Sequence, residues 1–565
     1  MKKIENVFEK LTKRNLFTIT SIIYLAIIVL YELFYCNYEF FFKIIPSYNF
    51  SIYRIVAYTV IYLLVWKFKD KFITSALETF NVKAKCRFLM VMLGLNIVII
   101  LTGILISIMN YISINFIMLL ISFLMILLFA IYISNDMIKN MILIAITFGI
   151  IFSISITFNN QLDEKRHFLA SYSISLGEFN LKNPSMDKSV AKMPRMMKLN
   201  EFVGYFSVEP TNDITKEHEE HVNDTANSYL TISYLVSSAG IFIARILGGS
   251  IADIYITGRI FNLLIYIAFA ALALKVLPYK KIIMFSIFCM PMLLALSAMY
   301  SVDGTTAALT ALFVAYCLKL FEKENINNKE ILTLIFLLIL AVTAKSVGYV
   351  GIALIVFILP LIKIIKQNKK CIIYIVAILI AMLAIVAYVY MENINESGDP
   401  WSQGAKAPQQ FEYVLSHPIN YAKVLLKHTV LHFTNLQCMS FLNAPMFFNL
   451  TYISVFILMM AYMLFISITD SSKQFSKRTR IVFILTYFVV FAMASTAMYM
   501  VHTPVKANYI GGFQLRYIFP ILFLLFSSIS IKRFELDYKK FKFMNVYSCT
   551  ISSIFLILSV IDAIL

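Results

Sequence analysis

A chain of 565 residues that is 60% hydrophobic and only 14% charged, with a mean hydropathy of +0.80, cannot hide its apolar residues in one soluble core, where about a quarter of residues are usually charged. Lipid is the solvent that suits it. The formal charge of +18 does not indicate nucleic acid, because Lys and Arg fall in short clusters between apolar spans, as in loops that face the cytoplasm and its anionic lipid. The seven cysteines contain no CxxC and no zinc-like spacing, which excludes a metal framework and leaves them as small apolar filler.

In chain order, the basic N-terminal stretch of residues 1–15 leads into an apolar run, 16–36, that is too long for a signal-peptide core and lacks a small-residue cleavage site after it. It reads as an uncleaved first span with a cytoplasmic N-terminus. Further spans are expected near 50–66, 88–109, 112–134 and 140–158, then, after a long polar stretch, near 257–277, 282–300, 303–320, 331–345, 348–366 and 371–391. A second polar stretch precedes spans near 450–469, 481–501, 514–531 and 546–564. The expected fold is an all-α integral membrane protein of about 15 transmembrane helices, with two long extracytoplasmic loops, 159–227 and 392–448.

The segment 229–247 is apolar but carries Ser233, Ser237, Ser238 and Gly240, and it reads as re-entrant or interfacial. Charge bias supports this. The clusters in 67–87, 363–370, 473–480 and 532–542 are all rich in Lys and Arg, and all face the cytoplasm if 229–247 does not cross.

Five constellations could carry chemistry. Asp163-Glu164-Lys165-Arg166-His167 follows a span, and on a helix Asp163 and His167 share a face; a carboxylate there can act as a general base, bind a divalent cation such as Mg or Mn, or begin an ordinary helix. The run Glu217-His218-Glu219-Glu220-His221 lacks the spacing of a zinc helix and reads as a solvated charge run. Ser301-Val302-Asp303-Gly304 is either a hairpin turn or a carboxylate at a membrane mouth. Lys345 ends a span, where it can snorkel or hold a phosphate. Arg516, in Gly512-Phe513-Gln514-Leu515-Arg516-Tyr517, enters an apolar span and needs a carboxylate or an anionic ligand there. No Walker A loop, Rossmann fingerprint or nucleophile elbow is present.

Taken in order, these segments resemble the bacterial polytopic membrane family known as domain of unknown function 2142 (DUF2142), within the C-type glycosyltransferase-like (GT-C) superfamily. Leu162-Asp163-Glu164-Lys165-Arg166-His167 resembles the family's opening, with Leu162 in place of proline. Tyr234-Leu235-Val236 with Gly240, Ile241 and Arg245 follows, again without a proline, then Gly258-Arg259-Ile260-Phe261-Asn262. Pro291-Met292, Ser301-Val302-Asp303, Lys345 with Tyr349, and His417-Pro418 continue the series. Thr503-Pro504-Val505 with Gly512, Gln514, Arg516, Tyr517 and Pro520 closes it, Leu515 replacing a glycine.

The resemblance covers about 140–535 and divides the chain into an N-terminal extension of four spans (1–139), a GT-C-like membrane domain (140–535) and a C-terminal span (536–565). It implies a cell-envelope glycosyltransferase of the bacterial cytoplasmic membrane. Such an enzyme takes sugar from a polyprenyl-phosphate donor to an extracytoplasmic glycan or lipid-linked acceptor. Asp163, Glu164 and His167 are then expected in catalysis, and Arg516, Gln514, Tyr517, Lys345, Arg259 and Asp303 in holding substrate and phosphate. The alternatives are a flippase of lipid-linked saccharide and a non-catalytic membrane assembly protein.

The topology is directly testable. Cysteines introduced as Asn183→Cys and Ser402→Cys should react with an impermeant maleimide added to intact cells; reaction only after permeabilisation would invert the reading.

Overall fold

The computed structural model describes residues 136–156, 163–179, 181, 186–187, 190, 218–219, 234–249, 251–345, 347–358, 404–434, 460–468, 470 and 472–529. The spans expected before residue 136, near 371–391 and near 546–564 lie outside these residues, as do Asn183 and Ser402.

The described chain is helical. Helix α1 (Met137–Ser155) starts at Asp136, whose side chain accepts from the amide of Ile138 at 3.0 Å. Helix α2 (Glu164–Ser175) lies in the first polar stretch, and a two-residue antiparallel pair follows, β1 (Met186–Asp187) with β2 (His218–Glu219). Helices α3 (Leu235–Ile246) and α4 (Ile251–Val276) come next. Helix α3 has 12 residues, about 18 Å of rise against a hydrocarbon core of about 30 Å, too short to cross alone.

The span expected at 282–300 is two helices, α5 (Lys281–Phe288) and α6 (Pro291–Ser297). Pro291 has no amide to donate and holds Met290 in an extended conformation, which breaks the helix there. Helix α7 (Asp303–Glu322) and helix α8 (Asn328–Thr343) follow; α8 is closed by a reciprocal Asn327–Glu330 capping box. The segment 347–358 begins as a 3₁₀ helix, Val347–Ala353, and ends in α9 (Leu354–Ile358).

The second polar stretch, expected as an external loop, contains α10 (Ala407–Ser416) and α11 (Pro418–Thr434). A helical stretch over 460–468 precedes helix α12 (Lys477–His502), and α11 runs down the flank of α12. Tyr421 bonds Thr496 at 2.5 Å and His428 stacks on Phe491. The modest polarity of 418–434 conceals an apolar side, on which Ile419, Leu426 and Val430 are exposed. The span expected at 514–531 opens as two 3₁₀ turns, Leu515–Tyr517 and Phe519–Ile521, before α13 (Leu522–Ser528), because Pro520 interrupts the helix.

Among the described residues, Asp253–Val276, Asp303–Glu322 and Lys477–His502 are long and apolar enough to cross a membrane. Helix α4 is the hub, packed on α7, α3 and α1. Small residues allow this closeness. A Cβ at Gly258 would lie 2.0 Å from the Tyr300 hydroxyl, and one at Gly304 would lie 2.1 Å from Ser297 Oγ.

The bundle has two distinct ends. At one, Lys280 and Asp470 form a fully buried pair (Nζ–Oδ2 3.3 Å), and Glu322 takes Tyr279 at 3.2 Å and Lys473. At the other, the C-terminus of α1, the N-termini of α2 and α7, the C-terminus of α8 and the turn Leu515–Tyr517 converge. Gly258→Ala should cost about 1–3 kcal/mol through overpacking against Tyr300. Thermal unfolding in detergent should show this loss, and an unchanged midpoint would contradict the packing.

Candidate functional site

Helix α2 is fixed by its first residue. Glu164 is completely buried and pairs with Arg259 of α4, also completely buried, through Nε–Oε1 and Nη2–Oε2 bonds of 2.9 Å each. Arg259 Nη1 donates to the carbonyls of Ser153 at 3.0 Å and Ile156 at 2.6 Å, the frayed end of α1. Its guanidinium also lies 4.7 Å from the centre of the Tyr255 ring. Glu164 additionally accepts from the Tyr300 amide at 3.2 Å. Burial raises the pKa of Glu164, against the opposing pull of Arg259.

The turn before α7 is held from the same helix. Asn262 donates to the carbonyls of Met299 (2.7 Å) and Ser301 (2.9 Å), and the Tyr300 hydroxyl donates to Tyr255 (3.0 Å). The Gly258-Arg259-x-x-Asn262 segment thus has a clear division of labour. Gly258 admits Tyr300, Arg259 holds α2 and α1, and Asn262 holds the turn that carries Ser301 and Asp303.

Next to this scaffold stands a row of alternating charges. Arg516 pairs with Asp163 and lies 3.4 Å from Asp303 (Nη1–Oδ2), and Asp303 pairs in turn with Lys345. Ser301 Oγ donates to Asp303 Oδ2 at 3.1 Å and accepts from the Asp303 amide. The Tyr517 ring lies under both cations, 4.4 Å from Lys345 Nζ and 5.5 Å from the Arg516 guanidinium carbon. The Tyr349 hydroxyl donates to the Tyr517 carbonyl at 2.8 Å, joining the two segments that carry the cations. Side-chain exposure is 8% or less for Asp303, Lys345 and Arg516 but 32% for Asp163, so Asp163 is the member that opens outward.

Burial pushes the Asp163 carboxyl up, but Arg516 and its other cationic neighbours outweigh that and hold it at about 2. His167, one turn on, is buried with Nδ1 3.0 Å from the Tyr234 hydroxyl. Burial pulls its pKa down to about 3 although Asp163 opposes the shift. It is therefore neutral at physiological pH.

The structure brings Asp163, Asp303, Lys345, Arg516 and Tyr517 together. It assigns Glu164 and Arg259 differently. Expected in catalysis and phosphate binding, they are sealed from solvent and bonded to each other, and so act as the bolt that holds Asp163 in place. Gln514 lies two residues from Arg516, and its Oε1 is buried with no hydrogen-bond partner among the described residues. His218 belongs to β2, opposite Asp187. Sequence reasoning missed Gln410, wholly buried, which donates to the Tyr499 carbonyl (3.2 Å) and accepts from the Lys506 amide (2.9 Å), closing the corner after α12. It gave Tyr349 and Asn262 no role, though both stand in motifs it singled out.

Among the described residues, a divalent cation at Asp163 has little to hold it. No group of three metal-ligating side chains occurs among the described residues, and Asp163 and Asp303 both face Arg516.

Residues 146–525, more than half of the chain, match the model of the family described as "Predicted membrane protein (DUF2142)". The chain belongs to this family. It is a DUF2142 membrane protein, and the matched segment contains every residue of the charge row. No curated protein and no solved structure matches it.

The pH dependence of stability should reveal His167. A buried neutral histidine binds its proton less readily than the unfolded chain, so stability is intact above the ordinary value of 6.5 and declines as pH falls towards about 3. Thermal midpoints between pH 7 and 4 should drop less steeply in His167→Gln than in the wild type; parallel curves would remove His167 as a source of the loss.

Proposed function

We propose that this DUF2142 protein is a glycosyltransferase of the bacterial cytoplasmic membrane. It uses a polyprenyl-phosphate sugar as donor and an extracytoplasmic glycan or lipid-linked saccharide as acceptor. The observation that carries the reading is the meeting of one outward-opening carboxylate, Asp163, with two nearly buried cations, Arg516 and Lys345, at one end of an apolar bundle. The opposite end gathers Lys280, Lys281, Lys323, Lys473 and Lys477, which suits a cytoplasmic face and supports an extracytoplasmic position for the charge row.

In this reading Asp163 accepts the proton of the acceptor hydroxyl as its oxygen bonds to the anomeric carbon. The bond from that carbon to the phosphate oxygen breaks, and polyprenyl phosphate leaves. Arg516 and Lys345 stabilise the charge that grows on the phosphate. Asp303 holds both cations in place, Tyr517 supports them from below, and Gln514 offers a carbonyl to a sugar hydroxyl. His167 packs under Asp163 as a neutral neighbour.

Asp163→Asn retains shape and removes the charge. Loss of a general base costs about 10² to 10⁴ in rate, so transfer of labelled sugar from a polyprenyl-phosphate donor by reconstituted protein should collapse by that factor. Arg516→Lys should also be slowed, since an ammonium cannot grip two phosphate oxygens as a guanidinium does. Wild-type rates in Asp163→Asn would exclude Asp163 as the base, and flipping of the donor without transfer would replace the enzyme with a transporter.

A further inference from the structure

The charge row is already complete. Asp163 and Asp303 carry two negative charges, Lys345 and Arg516 two positive ones, and the four alternate. An anion arriving at Arg516 therefore meets a neutral cluster in which every cation has a carboxylate beside it. Arg516 already faces two carboxylates, Asp163 and, at 3.4 Å, Asp303, so a third anion in this water-poor setting sits there only in place of one of them.

The two carboxylates differ in how firmly they are held. Asp303 is almost wholly buried, takes the Ser301 hydroxyl at 3.1 Å, pairs with Lys345, and has its own amide tied to Ser301 Oγ at 3.2 Å. Asp163 is the N-cap of α2 but its side chain makes no capping bond. Among the described residues its side-chain hydrogen bond goes to Arg516, and a third of its surface already faces outward. Its backbone, by contrast, is immobilised by Glu164 next to it. Rotation of the Asp163 side chain towards solvent would vacate the outer face of Arg516 without disturbing α2.

We propose that Asp163 is the built-in occupant of an anion seat on Arg516, and that a phosphate ester binds by displacing it. This rests on the reading of Arg516 and Lys345 as phosphate-binding residues. Displacement has a purpose in that reading. Donor binding frees the same carboxylate that must next take a proton, so Asp163 is released as a base only when a phosphate is seated beside it.

Competition for one partner has a signature that a structural salt bridge lacks. Removing the carboxylate should improve anion binding, whereas removing the cation should abolish it. Binding of farnesyl phosphate and of inorganic phosphate is measured with the full chain purified in detergent. Asp163→Asn should bind farnesyl phosphate about tenfold tighter than the wild type, within the range of ordinary coupling between sites. Arg516→Gln should bind it at least tenfold more weakly.

Unchanged or weaker binding in Asp163→Asn, with Arg516→Gln still impaired, would overturn the displacement and leave the phosphate seat standing. Unchanged binding in Arg516→Gln would remove the seat itself. Farnesyl phosphate binding well above inorganic phosphate identifies a lipid phosphate as the occupant. Equal affinities would keep the displacement but overturn the lipid donor. If Asp163→Asn does not purify as a monodisperse protein, the wild type decides. Carbodiimide coupling of glycine ethyl ester to Asp163, followed by peptide mass spectrometry, should rise when farnesyl phosphate is added, and no rise would overturn the proposal.

Discussion

The buried pair of Glu164 and Arg259 is the interaction on which the rest of the site depends. Two charges without access to water are tolerated only when they are matched and fully hydrogen-bonded. Here the guanidinium meets both carboxylate oxygens and two carbonyls at the end of α1, and the carboxylate also takes the Tyr300 amide. A single contact therefore fixes three things at once: where α1 stops, where α2 starts, and where the turn before α7 passes. Losing either partner would leave an uncompensated charge, worth about 3–5 kcal/mol. Asp163 owes its position to this contact rather than to its own bonds.

This arrangement separates positioning from chemistry by one residue. Glu164 faces inward and never meets solvent, while Asp163 faces outward and meets Arg516. The adjacent acids in the sequence look interchangeable, and only the helix start that divides them assigns their roles. The Gly258-Arg259-x-x-Asn262 segment serves the same end from α4. Gly258 makes room for Tyr300, and the side chains of Arg259 and Asn262 bond the elements that carry the charge row.

The broad architecture and the membership of the charge row were legible in the sequence because they rest on local signals. Apolar runs mark the helices, and an arginine inside an apolar run demands an anion, which Asp163 and Asp303 supply. The breaks at Pro291 and Pro520 were equally local, but the length of the surrounding apolar runs masked them. What could not be read was pairing. Nothing in the composition around Arg259 distinguishes a bolt for Glu164 from a ligand for phosphate; burial decides it, and burial comes from the packing of α4 against α1 and α7. Gln410 was invisible for a similar reason. It satisfies backbone groups about ninety residues away, in a corner whose orphaned amides exist only once the chain has folded.

The charge row also divides by the kind of backbone beneath it. Both carboxylates stand at the N-termini of helices, Asp163 before α2 and Asp303 opening α7, where the helix dipole favours negative charge. Both cations stand at irregular backbone, Lys345 just past the end of α8 and Arg516 in the short turn Leu515–Tyr517, and the Tyr349–Tyr517 bond ties their neighbourhoods together. The negative half of the row thus has a source of stabilisation that does not depend on its counter-ions, while the positive half is strung on a tether between two turns. The two halves therefore answer to different parts of the fold: the backbone under the carboxylates is helical frame, the backbone under the cations is a pair of linked turns, and the displacement of Asp163 from Arg516 needs a side-chain rotation alone.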